Sequence, residues 1–306
     1  MDDQTVRPPR PGRERKPSKG QVALRRGVAA ALLLGFFGLA AWLGVSALAG
    51  DEEAVRPPTT TAVVPKPVIL RVVFPEGFTR QDMVERVAEV RQIAKRKRKV
   101  TPKLSGKGYA AASKAAMPPA AFRKDARQIE GFLFPATYEF TPKTTSKRLV
   151  ADQLKHFDTN WQKVDLRFAK TKNLTPYDVL IIASMVEKET VAPKERPLVA
   201  AVIYNRLKAG MPLGIDATIR YGLGIPGTEA LRVSQLESDS PYNSRNRTGQ
   251  PPTPIANPGL ASMRAAAKPA AVDYLYFVRK PDKVHHFFTA DESQFYAKAC
   301  EYGYGC

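Results

Sequence analysis

Residues 175–190 constrain the fold more than any other stretch, because they predict a helix that has no solvent-facing side. Thr175 can cap a helix, and Asp178 lies where a carboxylate reaches back to the cap. From residue 179 to residue 186 every residue except Ser184 is apolar. A helix that is apolar all round has to run through the interior of a domain. The sequence therefore predicts a buried central helix.

The predicted helix carries Glu187 near its end, within Val-Glu-Lys-Glu-Thr. At helical spacing Glu187 stacks over Ala183 and Leu180, and a carboxyl held against apolar neighbours is disfavoured in its charged form. Such a carboxyl can serve as a general acid. The alternative is that Glu187 simply marks where a core helix emerges into water. The helix pattern by itself leaves both interpretations open.

The first 67 residues predict a tail, a membrane span and a stalk. Residues 1–26 are rich in Pro, Gly, Arg and Lys, as in a disordered basic tail. Residues 27–49 carry no charge and match a bilayer in length, which predicts a transmembrane helix. The basic tail before it predicts a single-pass protein of the cell membrane, with a cytoplasmic N-terminus and an extracytoplasmic catalytic domain. A cleaved signal peptide is the alternative, because Ala47-Leu-Ala has the small-residue cleavage form. Residues 50–67 read as a Pro/Thr-rich stalk.

The remaining sequence predicts an α+β protein in two parts. Residues 68–128 read as a strand, a turn at Pro75-Glu-Gly, and a helix that a capping box opens at Thr79. A basic run at residues 91–99 favours a solvated surface. Residues 129–306 mix amphipathic helices with short strands and contain the central helix. An amphipathic helix over residues 147–164 is expected to pack beside it.

Two polar loops are the candidates for binding a hydroxyl-rich ligand. Residues 211–224 are predicted to form the first loop. The second, residues 240–259, contains five Pro residues and is longer than an ordinary connector. A turn-forming or packing role is the alternative for each polar residue in them. The candidate binding residues in these loops are Asp216, Thr218, Tyr221, Tyr242, Asn243 and Asn257.

The formal charge of +19 at pH 7 suggests an anionic partner without identifying it. No zinc-ligand spacing, aromatic RNA-binding run or recognition-helix signature accompanies the charge, so nucleic acid is not predicted. Anionic lipid or an acidic polymer would be attracted equally well. The two Cys and three His residues offer no convincing ligand set, and no metal or cofactor is predicted. Cys300 and Cys306 form either a small disulfide loop or two free thiols.

Five separated motifs, taken together and in order, resemble the endolytic murein transglycosylase (YceG-like) family. The resemblance covers residues 68–296 and implies an inner-membrane enzyme that cleaves the glycan strands of peptidoglycan. It implies a LysM-like module at residues 68–128, with a basic insertion, and a catalytic transglycosylase domain at residues 129–306. The motifs are Glu130-Gly-Phe-Leu-Phe-Pro, Ala183-Ser-Met-Val-Glu-Lys-Glu-Thr, Val202-Ile-Tyr-Asn-Arg-Leu, Ser240-Pro-Tyr-Asn and Ile255-Ala-Asn-Pro-Gly.

The resemblance implies that Glu187 is the catalytic residue and that Glu189 supports it at the substrate-binding site. The implied partners are glycan strands, the cytoplasmic membrane and peptidoglycan synthases, with cleavage of nascent strands. The chain departs from the family pattern at Ala136, Ala217 and Thr253, where relatives often carry Asp, Pro and Gly. None of these departures falls on Glu187.

The expected chemistry needs only one carboxyl group. Glu187 donates a proton to the oxygen between N-acetylmuramic acid and N-acetylglucosamine, then takes the proton of the C6 hydroxyl as that oxygen closes on C1. The product carries a 1,6-anhydro end. Ordinary glycoside hydrolysis uses two carboxylates instead. The alternatives are a hydrolysing muramidase with Asp216 as its base, and a membrane-tethered scaffold that binds the cell wall without cleaving it.

Overall fold

The computed structural model describes residues 68–304 and confirms the α+β class. Over these residues it contains ten α-helices and four short strands in two sheets. The strands are β1 (Leu70–Val73), β2 (Thr137–Phe140), β3 (Tyr276–Arg279) and β4 (His286–Thr289). The helices are α1 (Arg80–Arg98), α2 (Gly106–Ala115), α3 (Ser146–Trp161), α4 (Arg167–Thr171), α5 (Pro176–Glu189), α6 (Arg196–Lys208), α7 (Asp216–Leu223), α8 (Val233–Leu236), α9 (Leu260–Ala267) and α10 (Glu292–Glu301).

Helix α5 is the predicted central helix, and its start is the predicted one. The hydroxyl of Thr175 accepts from the Asp178 N–H at 3.1 Å, and the Thr175 N–H donates to the Asp178 carboxylate at 2.8 Å. All residues from 179 to 186 are buried. Ser184, the polar exception, donates to the Ile181 carbonyl and accepts from the Ile255 N–H. Because these bonds satisfy its hydroxyl, the helix can lie in the core between α6 and α9.

The first hairpin joins the two predicted parts of the chain. Strands β1 and β2 pair antiparallel, with Leu70 opposite Phe140 and Val73 opposite Thr137. Strand β2 lies beyond residue 128, and one hydrophobic core extends from Leu70 through α5 to Ala267. Residues 68–128 and 129–304 therefore share a core, and their division into two domains stays a prediction. Strands β3 and β4 form a second antiparallel hairpin.

Two local predictions differ from the structure. Residues 216–223 form helix α7 rather than a loop; its start has no side-chain cap to signal it in the sequence, and Gly224 ends it at φ 65°. Helix α3 packs chiefly against α2 and not beside α5, because the aromatic ring of Phe132 lies between them. That ring is 5.0 Å from Phe157 of α3 and 6.2 Å from Tyr177 of α5, measured between centroids.

Between residues 68 and 304, none of the helices combines the length and the apolar character that crossing a membrane requires. On this finding the expectation of a single-pass protein of the cell membrane is corrected. The tail at 1–26, the transmembrane helix expected at 27–49 and the stalk at 50–67 lie outside the described residues. Cys306 also lies outside them, whereas Cys300 is disulfide-bonded.

Candidate active site

Glu187 lies in the last turn of α5, in a polar site formed by three helices. Its side chain is only 5% exposed. The backbone N–H of Gly259, which caps α9, donates to its Oε2 at 2.9 Å. Nη2 of Arg196, the first residue of α6, lies 3.5 Å from its Oε1. A carboxyl held in this way does not fit the alternative in which Glu187 emerges into bulk water.

Arg196 faces two carboxyl groups at once. Its side chain is 12% exposed, and its Nε donates to the hydroxyl of Ser262 on α9 at 3.0 Å. The same Nη2 that faces Glu187 lies 3.8 Å from Oε2 of Glu76. A buried guanidinium that is fixed by a further hydrogen bond presents its remaining donors in a defined direction. Arg196 therefore holds Glu76 and Glu187 in the same site.

Glu76, like Arg196, is a residue of this site that sequence reasoning missed. It lies in the turn between β1 and α1, which the sequence predicts as a turn without a chemical role. Burial, and next the negative charge of Glu187, raise the pKa of Glu76, whereas Arg196 lowers it. The side chain of Glu76 is 49% exposed, whereas that of Glu187 is 5% exposed, so Glu76 is the more accessible of the two to solvent. The sequence signal that could have indicated this role is an acidic residue, Glu76, within a tight turn between a strand and a helix.

The approach of Glu76 depends on two glycines. A Cβ atom added to Gly259 would lie 1.8 Å from Oε1 of Glu76, so the carboxyl rests directly on this backbone. Gly77 has φ +78°, a left-handed conformation that glycine adopts without strain. Its N–H donates to the Asn257 carbonyl at 3.0 Å, and its own carbonyl accepts from Lys188 Nζ at 3.4 Å. These contacts fix the turn against α5.

Asn257 is a structural support of the site rather than a sugar-binding surface. Its side chain is fully buried. The amide oxygen accepts from the N–H groups of Gly131 and Leu133, at 3.0 and 2.9 Å. The amide nitrogen donates to the carbonyl of Phe78 and to Oε1 of Glu130. One side chain therefore ties three segments together, two residues before the Gly259 N–H that holds Glu187.

Glu130 is the other buried acid of this support. It is 5% exposed and accepts from the Arg80 N–H at 3.0 Å, from Asn257 at 2.6 Å and from the hydroxyl of Tyr221 at 3.3 Å. Burial raises its pKa to about 7, although all three hydrogen bonds oppose the shift. Glu130 is therefore protonated in the folded protein at pH values where it is ionised in the unfolded chain.

This shift predicts a pH dependence that Glu130→Gln removes. A raised folded-state pKa adds stability at low pH, and that stability is lost as the pH rises from the unfolded value of 4.5 towards 7. At about 1.4 kcal/mol per pH unit, the wild type should lose about 2–3 kcal/mol relative to Glu130→Gln between pH 4.5 and 8. Urea unfolding of both proteins at several pH values measures this difference. A constant difference across the range would contradict the assignment.

Four of the predicted binding residues bond to groups other than Glu187. Thr218 and Asn243 are fully buried, and their side chains bond to backbone carbonyls of Ile215 and of Leu236 and Ser238. Asp216 is half-exposed and pairs with Arg245 at 2.7 Å. The hydroxyl of Tyr242 bonds to that of Thr253 at 2.8 Å. These contacts hold α7 and the 240–259 loop in place. Thr218 and Asn243 do not reach an open surface.

Tyr221 and Glu189 are the two remaining predicted binding residues. The ring of Tyr221 packs edge-on against that of Tyr242, 5.2 Å away, and its hydroxyl reaches Glu130. Glu189 is partly buried. Burial raises its pKa to about 7, the charge of Arg279 opposes the shift, and Asp216 adds to it. Asp216 therefore acts electrostatically on Glu189.

Glu76 and Glu187, the carboxyl pair of this site, line neither of two cavities found among the described residues. The larger, about 870 Å³, is lined by α4, α6 and residues 269–274. The smaller, about 210 Å³, is formed by residues of the 241–252 loop. Over residues 68–304 no group of three or more His, Cys, Asp or Glu side chains could hold a metal ion. The groups that the described residues bring to the site are the two carboxyl groups, the Arg196 guanidinium and the Gly259 N–H.

Comparison with known proteins gives consistent matches. A protein named endolytic murein transglycosylase from Bacillus subtilis (strain 168) is 39% identical over 153 residues, 50% of this chain and 42% of the relative. A protein of the same name from Streptococcus pneumoniae (strain R6) is 31% identical over 228 residues, 70% of this chain and 41% of the relative. The matches thus span about two fifths of the length of these relatives.

A solved structure and a family model agree with these matches. The crystal structure of a putative yceG-like protein from Listeria monocytogenes superposes with a TM-score of 0.63 at 27% identity, covering 75% of this chain and 76% of that one. The model of the YceG-like family matches residues 54–301. The match takes in β1, the carboxyl pair and every motif of the central helix and the 240–259 loop. The chain therefore belongs to the YceG-like family.

Proposed function

We propose that this chain cleaves the glycan strands of peptidoglycan as a lytic transglycosylase, and that it leaves 1,6-anhydro-N-acetylmuramic acid ends. The observation that carries the proposal is the placement of Glu187, a nearly buried carboxyl that Gly259 and Arg196 hold at the end of α5. Membership of the YceG-like family supports it, as do the relatives named endolytic murein transglycosylase.

In the proposed reaction, Glu187 supplies and recovers a single proton. It protonates the glycosidic oxygen between N-acetylmuramic acid and N-acetylglucosamine, and the bond from C1 to that oxygen breaks. The C6 hydroxyl oxygen of the same muramic acid bonds to C1, and its proton passes to the carboxylate. The Gly259 N–H and Arg196 stabilise the carboxylate between these steps. No water enters the product, so no activated water is required.

Residues 68–128 act in this proposal as a LysM-like module that binds the glycan beside the catalytic residues. Two observations support this role. The turn of this segment supplies Glu76 to the site. The last turns of α1 carry an exposed basic run, Lys95 to Lys99, suited to the anionic wall polymer. Association with peptidoglycan synthases and cleavage of nascent strands stay predictions of the family resemblance.

The hydrolysing muramidase has less support than the transglycosylase. It requires Asp216 as a base that activates water beside Glu187. The carboxylate of Asp216 is paired with Arg245 at 2.7 Å, and the acid it influences electrostatically is Glu189. A base engaged in this way is poorly placed to take a proton from water at Glu187.

Mass spectrometry of the cleaved ends tests the proposal. Purified chain is incubated with intact sacculi, and the soluble and insoluble glycans are digested and analysed for their terminal muramic acid. We expect new ends that are lighter by one water than reducing ends, because the C6 hydroxyl replaces water at C1. Reducing ends would instead identify a muramidase. Binding without new ends would identify a scaffold, and either result would overturn the proposal.

A further inference from the structure

We propose that Glu76 is a second acid–base residue of this reaction, and that it contacts the sugar at the glycosidic bond together with Glu187. This inference rests on the proposed function and adds a catalytic residue to it. Its basis is geometric: Oε2 of Glu76 and Oε1 of Glu187 lie 3.8 and 3.5 Å from the same Nη2 of Arg196. The two carboxyl groups therefore share one cation.

The charge balance of this group favours one bound proton. Two ionised carboxylates against one guanidinium leave a net negative charge in a partly buried site, and like charges at short range disfavour double ionisation. Protonating one carboxyl group removes that repulsion while the other keeps its ion pair. This arrangement stores the proton that the first step of the reaction consumes.

The two carboxyl groups differ in exposure, and this difference assigns their positions. Glu187 is 5% exposed and accepts a hydrogen bond from the Gly259 N–H, so its carboxylate is fixed on the side that faces the protein. Glu76 is 49% exposed and rests on the backbone of Gly259. A sugar that approaches Glu187 from solvent therefore meets Glu76 first. Contact between Glu76 and the substrate follows from this order.

The proton balance of the reaction is unchanged by the second residue. One proton leaves the pair for the glycosidic oxygen as the bond from C1 breaks. One proton returns to the pair from the C6 hydroxyl as its oxygen bonds to C1. No water, oxidant or other reactant is needed. Glu76 takes part by exchanging this single proton with Glu187 across the site that they share at Arg196.

The charged groups that face the pair come from two helices. Arg196 of α6 faces both carboxyl groups, and Lys188 of α5 contacts the Gly77 carbonyl beside Glu76. Burial and the charge of Glu187 raise the pKa of Glu76, in accord with a proton held on the pair. The rate of cleavage should therefore depend on pH through the protonation of Glu76.

The test compares Glu76→Gln with the wild-type chain on sacculi across pH. We expect kcat for glycan cleavage to fall about 10²-fold with little change in KM, a typical effect of losing an acid–base group. The dependence of the rate on pH should also change, because Glu76, whose pKa burial and the charge of Glu187 raise, no longer exchanges a proton. Glu76→Asp, which keeps the charge but withdraws the carboxyl by one methylene, should recover only part of the rate.

Glu139→Gln is the matched control. Glu139 is 55% exposed and pairs with Arg71 on the surface, so it resembles Glu76 in exposure and partner but lies outside the site. The rate of cleavage by the Glu139→Gln variant should stay within about twofold of the wild-type rate. Thermal unfolding should show that all variants are folded. Wild-type activity and an unchanged pH profile in Glu76→Gln would overturn the role of Glu76 alone. A wild-type chain that leaves sacculi uncut would overturn the proposed function itself.

Discussion

Replacing Glu187 with Gln is expected to lower the rate of glycan cleavage by about 10²–10⁴-fold, the usual effect of removing a general acid. Gln has nearly the same shape, and its amide oxygen can still accept from the Gly259 N–H. The variant should therefore fold and bind glycan as the wild type does. What it lacks is a group that can give a proton to the glycosidic oxygen and take one back. Release of muropeptides from sacculi, followed over time, measures the loss.

The control for this experiment is Glu89→Gln. Glu89 lies on α1, is 63% exposed and forms a surface pair with Arg86. The same chemical change there should leave the rate of cleavage unaltered, because exposed pairs contribute little. Cleavage by Glu187→Gln at a rate comparable to the control would show that another residue carries the chemistry.

Replacing Asn257 with Ala is expected to destabilise the protein by about 3 kcal/mol or more. The side chain is fully buried and makes four hydrogen bonds. Its removal leaves the N–H groups of Gly131 and Leu133 and the carboxyl of Glu130 without these partners. Each buried polar group that loses its partner costs about 1–3 kcal/mol. Urea unfolding of wild type and variant measures the change. We expect the variant to unfold at a lower urea midpoint with the same m-value as the wild type.

Asn246→Ala is the control for this prediction. Asn246 is exposed, and its amide donates a long hydrogen bond of 3.4 Å to the carbonyl of Leu236 at the end of α8. Surface changes of this kind usually stay within about 0.5 kcal/mol. If Asn257→Ala were as stable as Asn246→Ala, the three segments around Asn257 would not depend on it, and our account of how Gly259 is positioned would be wrong.

Local signals in the sequence were sufficient for the two helices that begin with a Thr-Asp capping box. Thr175 with Asp178, and Thr79 with Asp82, each form the expected capping box, and α5 and α1 begin there. Such signals act within one turn, so they can be read without knowledge of the fold. Helix α7 has no side-chain cap at Ile215, and the sequence accordingly suggested a loop.

The candidate site shows the opposite case. The position of Glu187 at the end of a buried helix was predictable from consecutive apolar residues, whereas its catalytic role is what the family resemblance implies. Glu76 and Arg196 were not, since only the packing of the β1–α1 turn and of α6 against α5 brings them to Glu187. Thr218, Asn243 and Asn257 are polar residues in loops, the usual features of a binding surface, yet each is fully buried and supports the backbone.

Cleavage of sacculi in water enriched in oxygen-18 tests the central claim most directly, with the products analysed by mass spectrometry. If the C6 hydroxyl closes on C1 under the control of the Glu187 site, the new ends carry the 1,6-anhydro ring and no oxygen-18. The Glu187→Gln variant then yields neither product. Ends that carry oxygen-18 at C1 would show that water is the nucleophile and would contradict the proposed reaction.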